Sequence, residues 1–246
     1  MRLYTLNMLS VRPIPLLADN YGWLLQDEAG FTGFVDPAEA EPAASAVAAS
    51  GGRLDLILLT HHHADHVAGT DALRARFGAK VAGAVADTHR LPHLDHALAP
   101  GAQLAVGRHA AAVIDTPGHT RGHIAYFFAD GPILLAGDTL FSLGCGRLIE
   151  GTPEEMFGSL RRLAALPGES LVCCGHEYTL ANARFALSLR PNDTALKARA
   201  GQAAQRRAAA EPTVPTRLAE ECRLNPFLLA RDVAEFADLR AHKDRF

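Results

Sequence analysis

The stretch Thr60-His61-His62-His63-Ala64-Asp65-His66 decides how this chain is read. It places five ionisable side chains within six residues, directly after the apolar run Leu54-Asp55-Leu56-Ile57-Leu58-Leu59. That run has the composition of a buried strand, so the polar burst falls at a strand's carboxyl end. In open α/β sheets this is where ligands and chemistry collect. Burying several imidazoles and a carboxylate together without compensation costs on the order of several kcal/mol, and metal ions are the usual compensation. His61 and His63 are two residues apart, so extended backbone sends both side chains to one side. Asp65 and His66 are offset and can face a second ion.

Three later segments repeat the pattern. Ala111–Asp115 is apolar and ends in Thr116-Pro117-Gly118-His119; Ile133–Ala136 ends in Gly137-Asp138; Leu171–Cys174 ends in Gly175-His176. Each reads as a buried strand, then glycine, then one donor. Four strand ends thus deliver seven candidate ligands: His61, His63, Asp65, His66, His119, Asp138 and His176. Seven N/O donors exceed the three or four that a single tetrahedral zinc takes. They suit two divalent ions sharing a carboxylate. Asp138, alone on its strand end, is the natural bridge, with His61, His63 and His119 assigned to one ion and Asp65, His66 and His176 to the other. The expected cofactor is a pair of divalent ions, zinc first, with iron or manganese also compatible with such donors. Two ions about 3.5–4 Å apart can share a water and lower its pKa toward about 7. A bridging hydroxide makes hydrolysis the default reaction, with Asp65 and Asp138 as the carboxylates at its centre. No G-x-S-x-G nucleophile elbow is present.

Composition sets the frame. The 246 residues are 48% hydrophobic and 21% charged, as in an ordinary soluble globular protein. No apolar run approaches the roughly 20 residues of a membrane span, and Leu3–Leu9 is too short and polar for a signal-peptide core. Four cysteines, two of them adjacent, form no disulfide framework, so a reducing, cytoplasmic setting is expected. The net charge of −3 divides unevenly: residues 177–246 carry 12 Lys and Arg against 9 Asp and Glu. That is too little for a nucleic-acid surface but enough to hold a small anion. A small-molecule substrate is expected, with no nucleic-acid or membrane partner, for a monomeric protein.

Val11–Leu17, Tyr21–Gln26, Phe31–Val35 and Lys80–Ala84 read as further strands, Pro42–Ala49 and Ala68–Phe77 as helices. Beyond Glu177 strand signals fade: Thr179–Leu189, Ala195–Ala210 and Ala230–Lys243 have helical composition. The expected organisation is an α/β catalytic domain over 1–176 and a helical substrate-binding domain over 177–246. His62 is expected to hydrogen-bond rather than bind metal, His123 to lie behind the ligands, Cys145 to be structural, and His89, His93, His96 and His109 to be surface or loop residues.

The H-x-H-x-D-H cluster followed by single His, Asp and His at later strand ends resembles the metallo-β-lactamase superfamily, an αβ/βα sandwich with metals at one edge. Within it the chain looks like glyoxalase II, the hydroxyacylglutathione hydrolase family. The stretches that carry this likeness are Thr116–His123, Gly137–Phe141 with Gly144–Gly151, Cys174–Thr179, Asn225-Pro226-Phe227 and Arg240–Phe246. The resemblance spans essentially the whole chain. It implies hydrolysis of S-D-lactoylglutathione to glutathione and D-lactate, the second step of methylglyoxal detoxification. Carried over position by position, it implies that Arg147 and Tyr178 contact the glutathione peptide and that Arg240 and Lys243 clamp its glycine carboxylate. Ile149 stands where many members have an aromatic residue, and Arg147 where many have lysine. The alternatives are another hydrolase of the superfamily or an iron-dependent persulfide dioxygenase, which uses one iron and lacks the helical tail.

Overall fold

The computed structural model describes residues 4–6 and 9–246. Two mixed sheets face one another, and helices cover both outer faces. The first sheet holds β1 (Tyr4–Leu6), β2 (Leu9–Leu16), β3 (Asn20–Asp27), β4 (Thr32–Val35), β5 (Leu56–Leu58), β6 (Lys80–Ala84) and β7 (His96–Leu98), in that spatial order. It is antiparallel up to β4 and parallel from β4 onward. The second sheet holds β8 (Gln103–Val106), β9 (His109–Asp115), β10 (Ile124–Phe128), β11 (Ile133–Gly137), β14 (Leu171–Cys174) and β15 (Thr216–Arg217), ordered 15-14-11-10-9-8. A small ribbon of β12 (Leu140–Phe141) and β13 (Gly144–Cys145) stands apart from both.

Covering on both faces explains the apolar texture of the central strands. β10, β11 and β14 are buried at every position, while β8, at a sheet edge, alternates exposed and buried. Between the sheets lies an apolar layer that includes Trp23, Tyr126, Phe128 and Leu135. The indole N–H of Trp23 donates to the Cys174 carbonyl oxygen at 2.9 Å, tying one sheet to the other. Outside the first sheet, α1 (Ala40–Ala48) and α3 (Thr70–Phe77) pack onto Phe34, Ile57 and Val81. Outside the second, α4 (Pro153–Ala164) shares an apolar layer with α5 (Thr179–Leu189), α7 (Leu218–Leu224), α8 (Pro226–Leu229) and α9 (Val233–Arg245).

The expected helix at Ala68–Phe77 is two helices. A short α2 (Ala64–Val67) carries Asp65 and His66, and α3 starts at Thr70. Gly69 separates them because its N–H donates to the Pro37 carbonyl oxygen at 2.8 Å, and a Cβ there would lie 2.7 Å from the same oxygen. Among the elements that carried no expectation are β8, the ribbon and α4. The last opens with a capping box in which the Thr152 hydroxyl accepts from Glu155 N–H and the Glu155 carboxylate accepts from Thr152 N–H. The tail is helical, with α6 (Thr194–Ala208) its longest element, but it also returns β15 to the second sheet antiparallel to β14. His109 is buried against Asp130 rather than at the surface.

Phe128 is fully buried between the sheets. Phe128→Ala is expected to lower unfolding free energy by about 3–5 kcal/mol, read from urea denaturation midpoints.

Candidate metal centre and substrate cavity

The strand ends bring all seven candidate ligands to one edge of the sandwich. Three imidazole nitrogens converge first: His63 Nδ1 lies 3.1 Å from His61 Nε2 and 3.0 Å from His119 Nε2. A second group forms beside it. His176 Nε2 is 3.5 Å and His66 Nε2 3.8 Å from Asp65 Oδ2. Asp138 lies between the two. Its Oδ2 is 3.5 Å from His119 Nε2 and 3.2 Å from His176 Nε2, and its Oδ1 is 3.4 Å from His66 Nε2. Donors about 2.0–2.1 Å from a tetrahedral cation stand about 3.4 Å from one another, so these spacings fit cations inside the groups. Both sets, His61/His63/His119 and Asp65/His66/His176, are placed to hold a metal ion.

Hydrogen bonds behind the ring fix which nitrogen faces inward. His119 Nδ1 is 2.9 Å from the Arg147 carbonyl oxygen, which can only accept, so Nδ1 carries the proton. His66 Nδ1 faces the Asp36 carboxylate at 3.0 Å, and His176 Nδ1 faces Asp19 at 3.1 Å. The Thr60 hydroxyl gives its one proton to Asp36 Oδ2 at 2.6 Å, leaving it to accept from His61 Nδ1 at 3.1 Å. Each of these four imidazoles therefore turns an Nε2 lone pair toward the centre, as a metal ligand must. Buried His66 Nε2 and Asp138 Oδ1 have no hydrogen-bond partner among the described residues. Native proteins seldom leave buried polar atoms in that state, and a cation would satisfy both. Gly175 permits the close approach: a Cβ there would sit 2.4 Å from Asp138 Oδ1 and 2.7 Å from the His66 ring.

The electrostatics agree with a site built for positive charge. Burial, reinforced by neighbouring imidazoles, pushes His61 far below its ordinary value, so it is neutral. For His66, burial opposes the charged form, but Asp138 and Asp36 outweigh it and raise the pKa. Asp138 is held well below the usual carboxylate range, because His66 and His176 overcome its own burial. A proton and a divalent cation compete here for the same lone pairs.

His123 lies behind the ligands, its pKa pushed down to about 3 by burial and by His119, and its Nε2 accepts the Asp138 backbone N–H at 3.0 Å. His62 points away from the centre to Asp87, 3.2 Å from Nδ1, and Glu150, 3.5 Å from Nε2. Burial raises the Cys145 thiol to about 11, so it is an unreactive wall.

A cavity of about 630 Å³ opens from the cluster. His63, Asp65, His119, Asp138 and His176 line its inner end, while Arg147, Ile149, Tyr178, Arg240 and Lys243 line the rest. Tyr178 stacks on His176 with ring centroids 4.6 Å apart. Arg240 is nearly buried and committed: it donates to the Cys145 carbonyl oxygen at 3.0 Å and to Asp244 at 2.8 Å, over the Phe227 ring. Lys243 donates to the Ala181 carbonyl oxygen at 3.2 Å and lies near the Phe185 and Phe246 rings.

Sequence reasoning missed Asp19, Asn20 and Asp36. Asn20 donates to the Asp65 carboxylate at 3.1 Å. Asp36 had one usable signal, an acidic residue before proline at the end of an apolar strand; Asn20 reads as a turn residue, and Asp19 carries no signal of its own. Asp36→Asn is expected to weaken zinc binding roughly 10- to 100-fold, measured by competition with a chromogenic chelator.

The metallo-beta-lactamase superfamily profile matches residues 24–176, and the hydroxyacylglutathione hydrolase C-terminus profile matches residues 177–246. A hydroxyacylglutathione hydrolase of Acidiphilium cryptum is 56% identical over 96% of this chain and 97% of its own. One of Cereibacter sphaeroides is 50% identical over 95% and 97%. Among solved structures, ETHE1 from Myxococcus xanthus superposes with a TM-score of 0.72 at 27% identity, covering 94% of this chain and 89% of that one. The chain belongs to the hydroxyacylglutathione hydrolase family of the metallo-β-lactamase superfamily.

Proposed function

We propose that this protein hydrolyses S-D-lactoylglutathione to glutathione and D-lactate, with residues 1–176 carrying the chemistry and residues 177–246 much of the thiol recognition. One observation carries the reading: a single cavity joins the His/Asp cluster to a cationic wall of Arg147, Arg240 and Lys243, in a chain of this family. Family membership and the helical tail favour it over persulfide oxidation.

His61, His63 and His119 would hold one cation, Asp65, His66 and His176 the other, with Asp138 between them. Zinc is our first reading, in a reducing cytoplasm where the four free thiols survive and the chain acts as a monomer. When bound, two such cations supply Lewis acidity and a shared water that ionises near neutral pH. The chain's own groups do the rest. His123 fixes the Asp138 backbone, and Asp36, Asp19 and Arg147 fix the imidazoles. A glutathione thioester brings two carboxylates and one ammonium, a net negative charge that the cationic wall attracts. The leaving thiol has a pKa of about 8.5, so its departure needs no strong acid.

Metal-replete protein is expected to release glutathione and D-lactate from S-D-lactoylglutathione, to lose that activity on chelation, and to regain it with zinc. Failure on this thioester, with oxygen consumed on glutathione persulfide, would overturn the reading. Lys243→Ala is expected to raise KM roughly ten-fold, the loss of one hydrogen bond to a charged group, and to leave kcat near wild type. Equal loss on a small thioester lacking glutathione would refute that role.

A further inference from the structure

The loop Thr139–Arg147 forms part of the cavity wall and belongs to neither main sheet. It contributes Phe141, Cys145, Gly146 and Arg147 to the lining, and it follows directly on Asp138. Its internal hydrogen bonding is short: a two-residue ribbon pairs Leu140 with Cys145 and Phe141 with Gly144, and the Gly146 N–H donates to the Thr139 carbonyl oxygen at 3.2 Å. At its apex Leu143 adopts a φ of +57°, which residues with a side chain rarely take and which persists only where the surroundings over-determine it.

Those surroundings come from the helical tail. The Glu221 carboxylate accepts the Leu143 N–H at 2.7 Å. The Asn225 amide donates to the carbonyl oxygens of Phe141 at 3.1 Å and Gly144 at 3.0 Å, and to Glu221 at 3.2 Å. Asn182 donates to the Ser142 carbonyl oxygen at 3.0 Å, and Arg240 to that of Cys145 at 3.0 Å. The Leu143 side chain inserts into a small apolar cluster with Ala183, Ala186, Leu196 and Leu224 of the tail. Glu221 and Asn225 are fully buried and do not line the cavity, so they touch no substrate.

The loop's far end acts on the centre. The Arg147 carbonyl oxygen fixes His119 Nδ1. Gly146 passes so close to Asp138 that a Cβ would lie 2.0 Å from the Asp138 carbonyl oxygen. Through these contacts the loop adjoins both the Asp138 backbone and His119, and it carries the Arg147 side chain.

We propose that Glu221 and Asn225 are positioning residues: from the helical tail they hold the loop Thr139–Arg147 in the conformation that presents Asp138, His119 and Arg147 to the cavity. The inference rests on the two-cation reading and adds that the tail shapes the metal end of the site as well as the thiol end.

Glu221→Ala, Glu221→Gln and Asn225→Ser separate this role from simple stabilisation. Asn225→Ser keeps a hydroxyl to accept the Phe227 N–H at the start of α8 but cannot span to the loop. On protein shown folded by circular dichroism, Glu221→Ala and Asn225→Ser are expected to lose roughly 10- to 100-fold in zinc affinity and in kcat on a small acyl thioester. Glu221→Gln, whose amide oxygen still accepts from Leu143, recovers most of both. A lowered Tm with wild-type zinc affinity and kcat overturns the proposal; Asn225→Ser decides alone if Glu221→Ala does not fold. A readout free of metal is the His119 Nδ1–H proton resonance in chelated protein. It is expected in wild type and lost to exchange in Asn225→Ser. Its survival there defeats the inference, whereas wild-type protein that binds no zinc defeats the two-cation reading instead.

Discussion

Imidazoles and carboxylates packed together at the closed edge of two sheets cannot rest there for nothing. Taken out of water, each loses solvation that neighbouring donors replace only in part. Here the outward nitrogen of four histidines is satisfied by Asp19, Asp36, Thr60 or the Arg147 carbonyl, while the inward atoms are left facing one another. Everything else in the molecule serves that arrangement. The sheets bring four loops to one edge, the glycines admit close contact, and polar groups behind each ring hold its orientation.

Much of this was written in the local pattern. A run of apolar residues that ends in glycine and one donor is a short-range signal, and it recurs three times after the first cluster. The core strands β5, β11 and β14 and all seven donors were legible on that basis. The supporting groups were not. Asp19 meets His176 across 157 positions, and Asp36 meets His66 across 30, so neither pairing leaves a local mark. The α4 helix was legible in principle, since its capping box is a four-residue signature. β9 was read from its apolar run, but β8, which joins it through a turn at Gly107, lies in a weakly patterned alanine-rich region. The break of the helix at Gly69 depends on Pro37, far away in the chain.

Arg240 shows how far a resemblance carries. Its place in the cavity wall agrees with a part in binding an anion, yet its guanidinium is already engaged by Cys145, Asp244 and Phe227. Lys243 and Arg147 keep more of their donor capacity toward the cavity; among the described residues Lys243 makes one hydrogen bond, and Arg147 is exposed. The tail is therefore fastened to the sandwich by buried polar contacts, by a shared apolar layer under α4, and by β15 at the sheet edge.

The order of these contacts along the chain has a bearing on biosynthesis. Chains emerge from the ribosome amino end first, and early domains begin to fold while later ones are still being made. The strands that deliver the donors are complete at His176, but Glu221, Asn225 and Arg240 are translated afterwards. A nascent chain halted between those points would hold the ligands without the clasp on their neighbouring loop. The hydrogen bonds from Glu221, Asn225 and Arg240 to that loop can therefore form only after the chain has been made as far as α9.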